Sequence, residues 1–250
     1  MHRFFVSPKN WNQGTLTLAG PEAHHARDVL RMRVGEKLVL FNGRGHEITA
    51  EIVDLGADEI GLKKLHEAKT PPLQCRIVLG QAIPKGKNMD LIVQKAVEIG
   101  AAEIAPIISD RTIVQIGSDN TAQKQAKWQQ IAVEASKQSA QNWLPHVHKP
   151  RKLAELFSVA GQESFDLQLI GSLQPGAQHL KKVLADYSSE HQRSPRSVLM
   201  LVGPEGDFTP AELALARRHG CQPITLGPII LRVETAAIYC LSILSHELLI

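Results

Sequence analysis

The sequence predicts an α/β protein with two parts: a small N-terminal β-barrel and a larger domain built on a parallel sheet. Short β-prone runs bounded by turn residues fill residues 1–70, and a single helical pattern interrupts them. Strand and helix patterns alternate over residues 73–250, which is typical of a parallel sheet covered by helices on both faces. The segment KTPP at 69–72 is a stiff break between the two patterns, so we place the domain boundary there.

The composition is that of an ordinary globular protein. Hydrophobic residues make up 43%, charged residues make up 21%, and the formal net charge is +3. A small positive charge is compatible with a nucleic-acid partner, because basic residues can collect on one face. The chain has no run of about 18 apolar residues, and its N-terminus lacks the apolar core of a signal peptide. We therefore expect a cytoplasmic protein with no membrane partner.

The cysteines argue against a metal site. Cys75, Cys221 and Cys240 lie far apart, and none belongs to a CxxC pair. Zinc sites and disulfide frameworks need closer or paired spacings. We expect three buried thiols in a reducing compartment and no bound metal.

The N-terminal region combines strands with one basic helix. Runs at 4–6, 16–18, 38–41, 47–53 and 60–62 are β-prone, and NGRG at 42–45 predicts a hairpin turn. A helix predicted over 21–32 places His24, Arg27 and Arg31 at positions i, i+3 and i+7, on one face, and Arg33 follows it. Such a stripe either grips phosphates or is a solvated helix face.

The second region alternates elements in order. Strands are predicted at 77–80, 104–108, 167–170, 198–202 and 224–226, and helices at 88–99, 119–139, 152–160 and 234–248. A further helix begins after Thr209, because Thr209, Pro210 and Glu212 form a capping box with proline at the first helical position. Gly100 stands where the first of these helices needs a C-cap.

Two glycine-containing turns follow strands of the predicted parallel sheet. They are LVGPEGDF at 201–208 and LGPIILRVETA at 226–236. Ligands of parallel sheets bind at the carboxyl ends of strands, and glycine lets the backbone approach a ligand closely. The alternative is that both are plain strand-to-helix turns.

Three charged side chains near these turns have two interpretations each. Arg232 and Glu234 interrupt an apolar run, where charges are costly unless they are paired or functional, so they form either a structural ion pair or part of a site. Lys85 lies in the loop PKGKN at 84–88, after a strand, which is either a ligand loop or an ordinary connection.

No GxGxxG, phosphate-binding loop or nucleophile elbow is present, so dinucleotide enzymes, kinases and serine hydrolases lose their usual support.

Together these stretches resemble one family, the RsmE-type ribosomal small-subunit uridine N3-methyltransferases of the SPOUT superfamily. The resemblance covers nearly the whole chain and depends on the order and spacing of its motifs. Those motifs are HHARDVLRM at 24–32, QKAVEIG at 94–100 with Asp110-Arg111, EASKQS at 134–139, GPEG at 203–206 and LRVETA at 231–236.

The resemblance implies a fold and a methyl donor. Residues 1–70 would form a PUA-like RNA-binding barrel, and residues 73–250 would form a SPOUT domain with a deep trefoil knot that dimerises. Loops of the knot would hold S-adenosyl-L-methionine in a bent shape. The implied donor-binding residues are Ile170, Gly171, Ser172, Leu201, Gly203, Gly206, Leu226, Gly227, Pro228, Leu231 and Thr235.

The resemblance also implies the reaction and its substrate, N3-methylation of a uridine in the 16S RNA of the small ribosomal subunit. Glu234 or Glu205 would accept the N3 proton, and Arg232 would stabilise charge on the uracil oxygens. Two alternatives stay open: a non-catalytic ribosome assembly factor of the same fold, and a transfer-RNA methyltransferase, which the N-terminal barrel disfavours. The residues expected to contact RNA are Arg3, His24, Arg27, Arg31, Arg33, Lys85 and Arg111.

The sequence departs from the family pattern at four positions. Asp207 replaces a glycine, Val233 replaces a threonine, and Gln141 and Ile229 stand where arginine is common. Loss of two arginines predicts weaker phosphate contacts at these points, because glutamine and isoleucine carry no guanidinium.

Overall fold

The computed structural model describes residues 1–11, 16–112, 118–160 and 165–249. The chain divides into two compact units: residues 1–72 with 133–144, and residues 73–132 with 145–250. A parallel sheet with helices and a separate curled sheet at the N-terminus confirm the mixed α/β class. The division of the chain at 69–72 stays a prediction, and residues 133–144 are counted with the first unit although they follow that point.

The first unit contains a five-stranded sheet in the order β1-β3-β4-β5-β2. Pairing is antiparallel except between β1 and β3, and two register shifts between β4 and β5 bend the sheet. One face packs on Ala23 and Ala26 to form the core. The strands are β1 (His2–Phe5), β2 (Thr17–Ala19), β3 (Lys37–Phe41), β4 (His46–Leu55) and β5 (Glu59–Lys69).

The predicted turn at 42–45 is confirmed. The Asn42 side-chain oxygen accepts hydrogen bonds from the Arg44 and His46 backbone N–H groups, at 2.8 and 3.2 Å. Gly43 and Gly45 adopt φ angles of +69° and +85°, which side chains disfavour.

The helix predicted over 21–32 is wrong in its second half. The α-helix α1 spans Gly20–His24, and a π-helical turn over His25–Val29 follows it. Arg31 lies beyond that turn in the left-handed region, at φ +54°. A π-turn contains more residues per turn than an α-helix, so the expected i, i+3, i+7 alignment of His24, Arg27 and Arg31 is lost.

The second unit contains an eight-stranded sheet in which every pair is parallel. Its order is β11-β13-β10-β12-β6-β7-β8, and β9 also pairs with β7. The strands are β6 (Arg76–Ala82), β7 (Glu103–Ile108), β8 (His146–Val147), β9 (Arg151–Lys152), β10 (Leu167–Gly171), β11 (Gln178–His179), β12 (Ser197–Val202) and β13 (Gln222–Thr225).

Helices accompany these strands much as the sequence predicts. Gly100 caps the first of them at φ +98°, as expected. The helix over 180–191 is missing from the sequence prediction, although Leu180, Val183, Leu184 and Tyr187 have helical spacing and are buried. The helices are α2 (Asn88–Ile99), α3 (Ser118–Ser139), α4 (Leu153–Ala160), α5 (Leu180–His191), α6 (Pro210–Arg218) and α7 (Val233–Leu248).

The central strands β6 and β12 are buried over nearly their whole length, as strands of a two-sided parallel sheet must be. α4 and α6 pack on one face, where Val78, Leu199, Leu201 and Phe157 share a core. α7 contacts β6 and β12 and packs against α2. Helix α7 therefore packs on the central strands of the sheet, although the preceding strand, β13, lies next to the outermost strand, β11.

The three cysteines are free and buried, and burial raises the pKa of each thiol to about 12. They stay protonated and unreactive at neutral pH. Within the described part of the chain, no helix has the length and apolarity to cross a membrane.

A buried carboxylate ties the end of β7 to the start of α6. Glu212 is 7% exposed and accepts hydrogen bonds from the Ser109 hydroxyl at 3.1 Å, the Asp110 N–H at 3.1 Å and the Thr209 N–H at 2.8 Å. The Thr209 hydroxyl accepts in turn from the Glu212 N–H at 3.2 Å, which confirms the capping box. The contacts to Ser109 and Asp110 are long-range and have no signal in the sequence.

A second polar network holds residues 142–143 in the first unit. Asn142 is 7% exposed; its amide nitrogen donates to Glu47 at 3.0 Å and to Thr70 at 2.8 Å, and its oxygen accepts from Arg3 at 2.5 Å. Arg3 also donates to Glu47 at 2.9 Å. These hydrogen bonds lower the pKa of Glu47 against the opposing effect of burial, which is the largest single influence.

We expect Asn142→Ala to lower the free energy of unfolding by about 2 kcal/mol, because it strands partly buried hydrogen-bonding groups of Arg3, Glu47 and Thr70. Urea unfolding followed by circular dichroism measures the loss. Gln138→Ala, at an exposed position of α3, is the control and should change stability by less than about 0.5 kcal/mol. Equal effects of the two substitutions would contradict the stabilising role of the network.

We expect Glu212→Gln to cost about 2 to 3 kcal/mol of unfolding free energy, since it replaces a charged acceptor shared by several donors with an amide. The same unfolding measurement applies, with the exposed Glu190→Gln as its matched control. A Glu212→Gln protein as stable as the control would show that this carboxylate does not hold the two segments together.

Candidate active site

One cavity of about 410 Å³ opens at the carboxyl ends of β10, β12 and β13, beside the first turn of α7. That volume lies within the range of pockets for small organic ligands. The structure brings the following predicted donor and catalytic residues together on its wall: Gly171, Ser172, Gly203, Glu205, Leu226, Gly227, Leu231, Arg232 and Glu234.

Other predicted donor residues do not line the cavity. Ile170 and Leu201 are buried in the sheet core behind it, at 1% and 0% exposure. Gly206 and Pro228 belong to the same turns and Thr235 lies in the first turn of α7, but none of the three lies on the wall. Residues absent from the predicted set also line it, namely Asn88, Leu173, Val202, Pro204, Asp207, Ile229, Ile230, Val233 and Ala236.

Gly227 illustrates why these turns need glycine. Its φ angle is +110°, which L side chains rarely adopt, and a Cβ atom placed on it would meet no heavy atom within 4 Å. The backbone conformation therefore excludes side chains, while the space above it is open. A ligand can approach this backbone directly.

Asp207 joins two walls of the cavity. It adopts a left-handed conformation, at φ +63°. One carboxylate oxygen accepts from the Phe208 N–H at 2.7 Å, and the other accepts from the Leu173 N–H at 3.3 Å. Aspartate is among the few non-glycine residues that tolerate this conformation, which explains how it replaces the glycine of the family pattern.

The turn at 203–208 is also held from outside the cavity. The Arg111 guanidinium donates a hydrogen bond to the Gly206 carbonyl oxygen. The Glu205 carboxylate accepts from the Lys85 backbone N–H at 2.9 Å. Both Lys85 and Arg111 were expected to contact RNA, and the structure places them next to this turn.

The ion-pair interpretation of Arg232 and Glu234 is not supported. Glu234 accepts a hydrogen bond from the Asn88 amide at 3.2 Å. Arg232 is exposed, and among the described residues its guanidinium has neither a hydrogen bond nor an ion pair. Its guanidinium is therefore available to a ligand at the cavity mouth.

The remaining residues predicted to bind RNA belong to the first unit. Arg3 has an 11% exposed side chain that is engaged by Glu47 and Asn142. Asp28 pairs with His24 at 2.6 Å and with Arg27 at 2.8 Å, and its hydrogen bond raises the pKa of Arg27.

Arg31 and Arg33 are exposed near the end of the π-helical turn. Arg27, by contrast, is partly buried, and the Arg3 side chain is 11% exposed. Whether any of these residues contacts RNA stays a prediction.

The described residues contain no group of three or more His, Cys, Asp or Glu side chains arranged to hold a metal ion. The charged groups of the cavity wall are Glu205, Asp207, Glu234 and Arg232. Most of the remaining wall is glycine and aliphatic side chains. The cavity is suited to a ligand with an apolar or aromatic body and a positively charged part.

Comparisons with known proteins agree with this geometry. A family model described as an RNA methyltransferase domain matches residues 71–245, and one described as an RNA methyltransferase PUA domain matches residues 18–65. Ribosomal RNA small subunit methyltransferase E of Synechocystis sp. is 31% identical over 94% of this chain and 74% of its own length. The Bacillus subtilis protein of the same name is 30% identical over 93% and 90%.

Solved structures extend the similarity to the fold. Ribosomal RNA small subunit methyltransferase E from Neisseria gonorrhoeae, bound to S-adenosyl methionine, has a TM-score of 0.85 and 32% identity, covering 99% of this chain and 98% of its own. A Legionella pneumophila protein in complex with the cofactor SAM has a TM-score of 0.85 and 31% identity, covering 98% and 97%. This chain belongs to the ribosomal RNA small subunit methyltransferase E family of RNA methyltransferases.

Proposed function

We propose that this chain is an S-adenosyl-L-methionine-dependent methyltransferase that forms N3-methyluridine in 16S RNA of the small ribosomal subunit. The observation that carries the proposal is the cavity at the carboxyl ends of β10, β12 and β13. Its wall contains the glycine turns that the family resemblance assigns to the methyl donor. The similarity to proteins named ribosomal RNA small subunit methyltransferase E covers 93% to 94% of the chain and supports the substrate class.

The cavity fits S-adenosyl-L-methionine in size and chemistry. Aliphatic side chains such as Leu226 and Leu231 suit an adenine ring, and the open backbone at Gly227 allows close contact. Carboxylates on the wall suit a positively charged donor. The residues that would hold it are Gly171, Ser172, Gly203, Leu226, Gly227 and Leu231. Each of the other expected donor residues, Ile170, Leu201, Gly206, Pro228 and Thr235, is next in the chain to a residue of the wall.

When bound, the donor supplies a methyl group that is activated by attachment to a positive sulfonium. The protein must present a uridine whose N3 has lost its proton. Glu234 and Glu205 lie on the wall and are candidate proton acceptors, since carboxylates in hydrogen-bonding reach act as general bases. The Arg232 guanidinium has no partner among the described residues, so it can neutralise charge that develops on the two uracil oxygens. The target base must be splayed out of any helix to reach them.

Family membership also supports an RNA-binding barrel, a knotted second domain and a cytoplasmic location. The PUA model matching residues 18–65 supports a PUA-like RNA-binding barrel in the first unit, where Arg31 and Arg33 offer exposed cations. The return of the chain from β13, near the edge of the sheet, to α7, over its centre, is compatible with a trefoil knot. A ribosomal RNA substrate implies a cytoplasmic protein.

We also propose a homodimer formed by the second unit. The apolar residues Leu241, Leu244 and Leu248 of α7 are buried within the chain, but Tyr239 on α7 and Leu91 on the adjacent α2 are 44% and 40% exposed. These exposed side chains on two packed helices are where we expect the subunit contact to form.

The reaction is tested by incubating the purified chain with labelled donor and under-methylated small subunits, then identifying the labelled nucleoside by mass spectrometry. We expect N3-methyluridine.

Arg232→Ala should slow the chemical step about a hundredfold without weakening donor binding, because one charge-stabilising donor is lost. Arg218→Ala is the control, because Arg218 is exposed on α6 and does not line the cavity; its methylation rate should equal that of the wild type. Label in a ribose or a guanine would refute the reaction, and donor binding without any label would favour an assembly factor.

The donor site is tested by Gly227→Ala. We expect at least about a tenfold loss of donor affinity by calorimetry, since the new Cβ projects into open cavity space from a strained backbone. Gly220→Ala is the control, because Gly220 has a similar φ of +85°, has no heavy atom closer than 3.9 Å to the added Cβ, and lies outside the cavity. It should change affinity less than about twofold. Equal affinities of the two variants would place the donor elsewhere.

A further inference from the structure

The charged groups on the cavity wall are unbalanced. Three carboxylates, from Glu205, Asp207 and Glu234, face one guanidinium, from Arg232. Among the described residues none of these carboxylates forms an ion pair. Within the part of the chain that the structure describes, no cationic side chain therefore pairs with these negative charges.

Each carboxylate is fixed by neutral donors. Glu205 accepts from the Lys85 backbone N–H at 2.9 Å, and Glu234 accepts from the Asn88 amide at 3.2 Å. Asp207 accepts from two backbone N–H groups, of Phe208 at 2.7 Å and of Leu173 at 3.3 Å. Such contacts hold the position of a carboxylate and leave its net charge in place.

Asp207 is the most constrained of the three. Its backbone is left-handed, at φ +63°, and its two oxygens bridge the turn after β12 and the turn after β10. It is partly buried, whereas Glu205 is exposed. A charge that is partly removed from water and held rigid acts more strongly on a bound ligand than a mobile surface charge does.

We propose that Asp207 is a specificity-determining residue, whose carboxylate, with those of Glu205 and Glu234, makes the cavity prefer the positively charged methyl donor to its neutral product. This inference rests on the proposed function. S-adenosyl-L-methionine carries a sulfonium cation, and S-adenosyl-L-homocysteine has a neutral thioether in its place but is otherwise the same molecule. The negative wall therefore favours entry of the donor and release of the product.

The test measures dissociation constants of the full chain for both compounds by calorimetry, in the wild type and in Asp207→Asn. We expect the variant to bind the donor about three- to tenfold more weakly and the product almost unchanged, so that the affinity ratio falls by that factor. Sinefungin carries an ammonium group in place of the methylsulfonium, so Asp207→Asn should weaken its binding as much as that of the donor. Asp186→Asn, which removes an exposed carboxylate of α5 outside the cavity, should leave the ratio unchanged.

Salt gives a second measurement that needs no variant. The donor-to-product affinity ratio of the wild type should fall between about 0.05 and 0.5 M salt, because screening weakens attraction to the cation and not to the thioether. If Asp207→Asn weakens donor and product equally, Asp207 only shapes the two turns and the inference is overturned. If the wild type binds neither compound, the proposed function itself fails, and this inference fails with it.

Discussion

The parallel pairing of every strand in the second unit is the constraint on which the rest of the structure depends. Because all its strands run in the same direction, their carboxyl ends lie along one edge of the sheet. Strands β13, β10 and β12 are neighbours in that order, and the turns that follow them line one cavity. The central strands are buried on both faces, which leaves this edge as the natural place for a cavity.

Polar contacts on and around the cavity wall stabilise the turns that form it. Glu212 joins the segment after β7 to the start of α6, and Arg111 contacts the Gly206 carbonyl. Asp207 links the turns after β10 and β12. None of these contacts uses the open backbone at Gly227 or the Arg232 guanidinium, which has no partner among the described residues, so both are available to a ligand.

The sequence predicts some of the helix ends correctly, because each end depends on residues only a few positions apart. The capping box of Thr209 and the C-cap at Gly100 are examples. The π-helical turn at His25–Val29 was missed, since the same apolar spacing fits an α-helix. The helix Leu180–His191 was also missed, although its buried residues have helical spacing, because His179 gives no N-cap signal.

The sequence by itself determined the alternation of strands and helices, the glycine turns that end two strands, and the motifs that identify the family. Only the tertiary structure decided that Asp207 reaches Leu173, that Glu234 contacts Asn88 and not Arg232, and that residues 133–144 belong with the first unit. The physical reason is that these outcomes depend on strand order and on contacts between residues distant in the chain. Local propensity and periodicity carry no information about either.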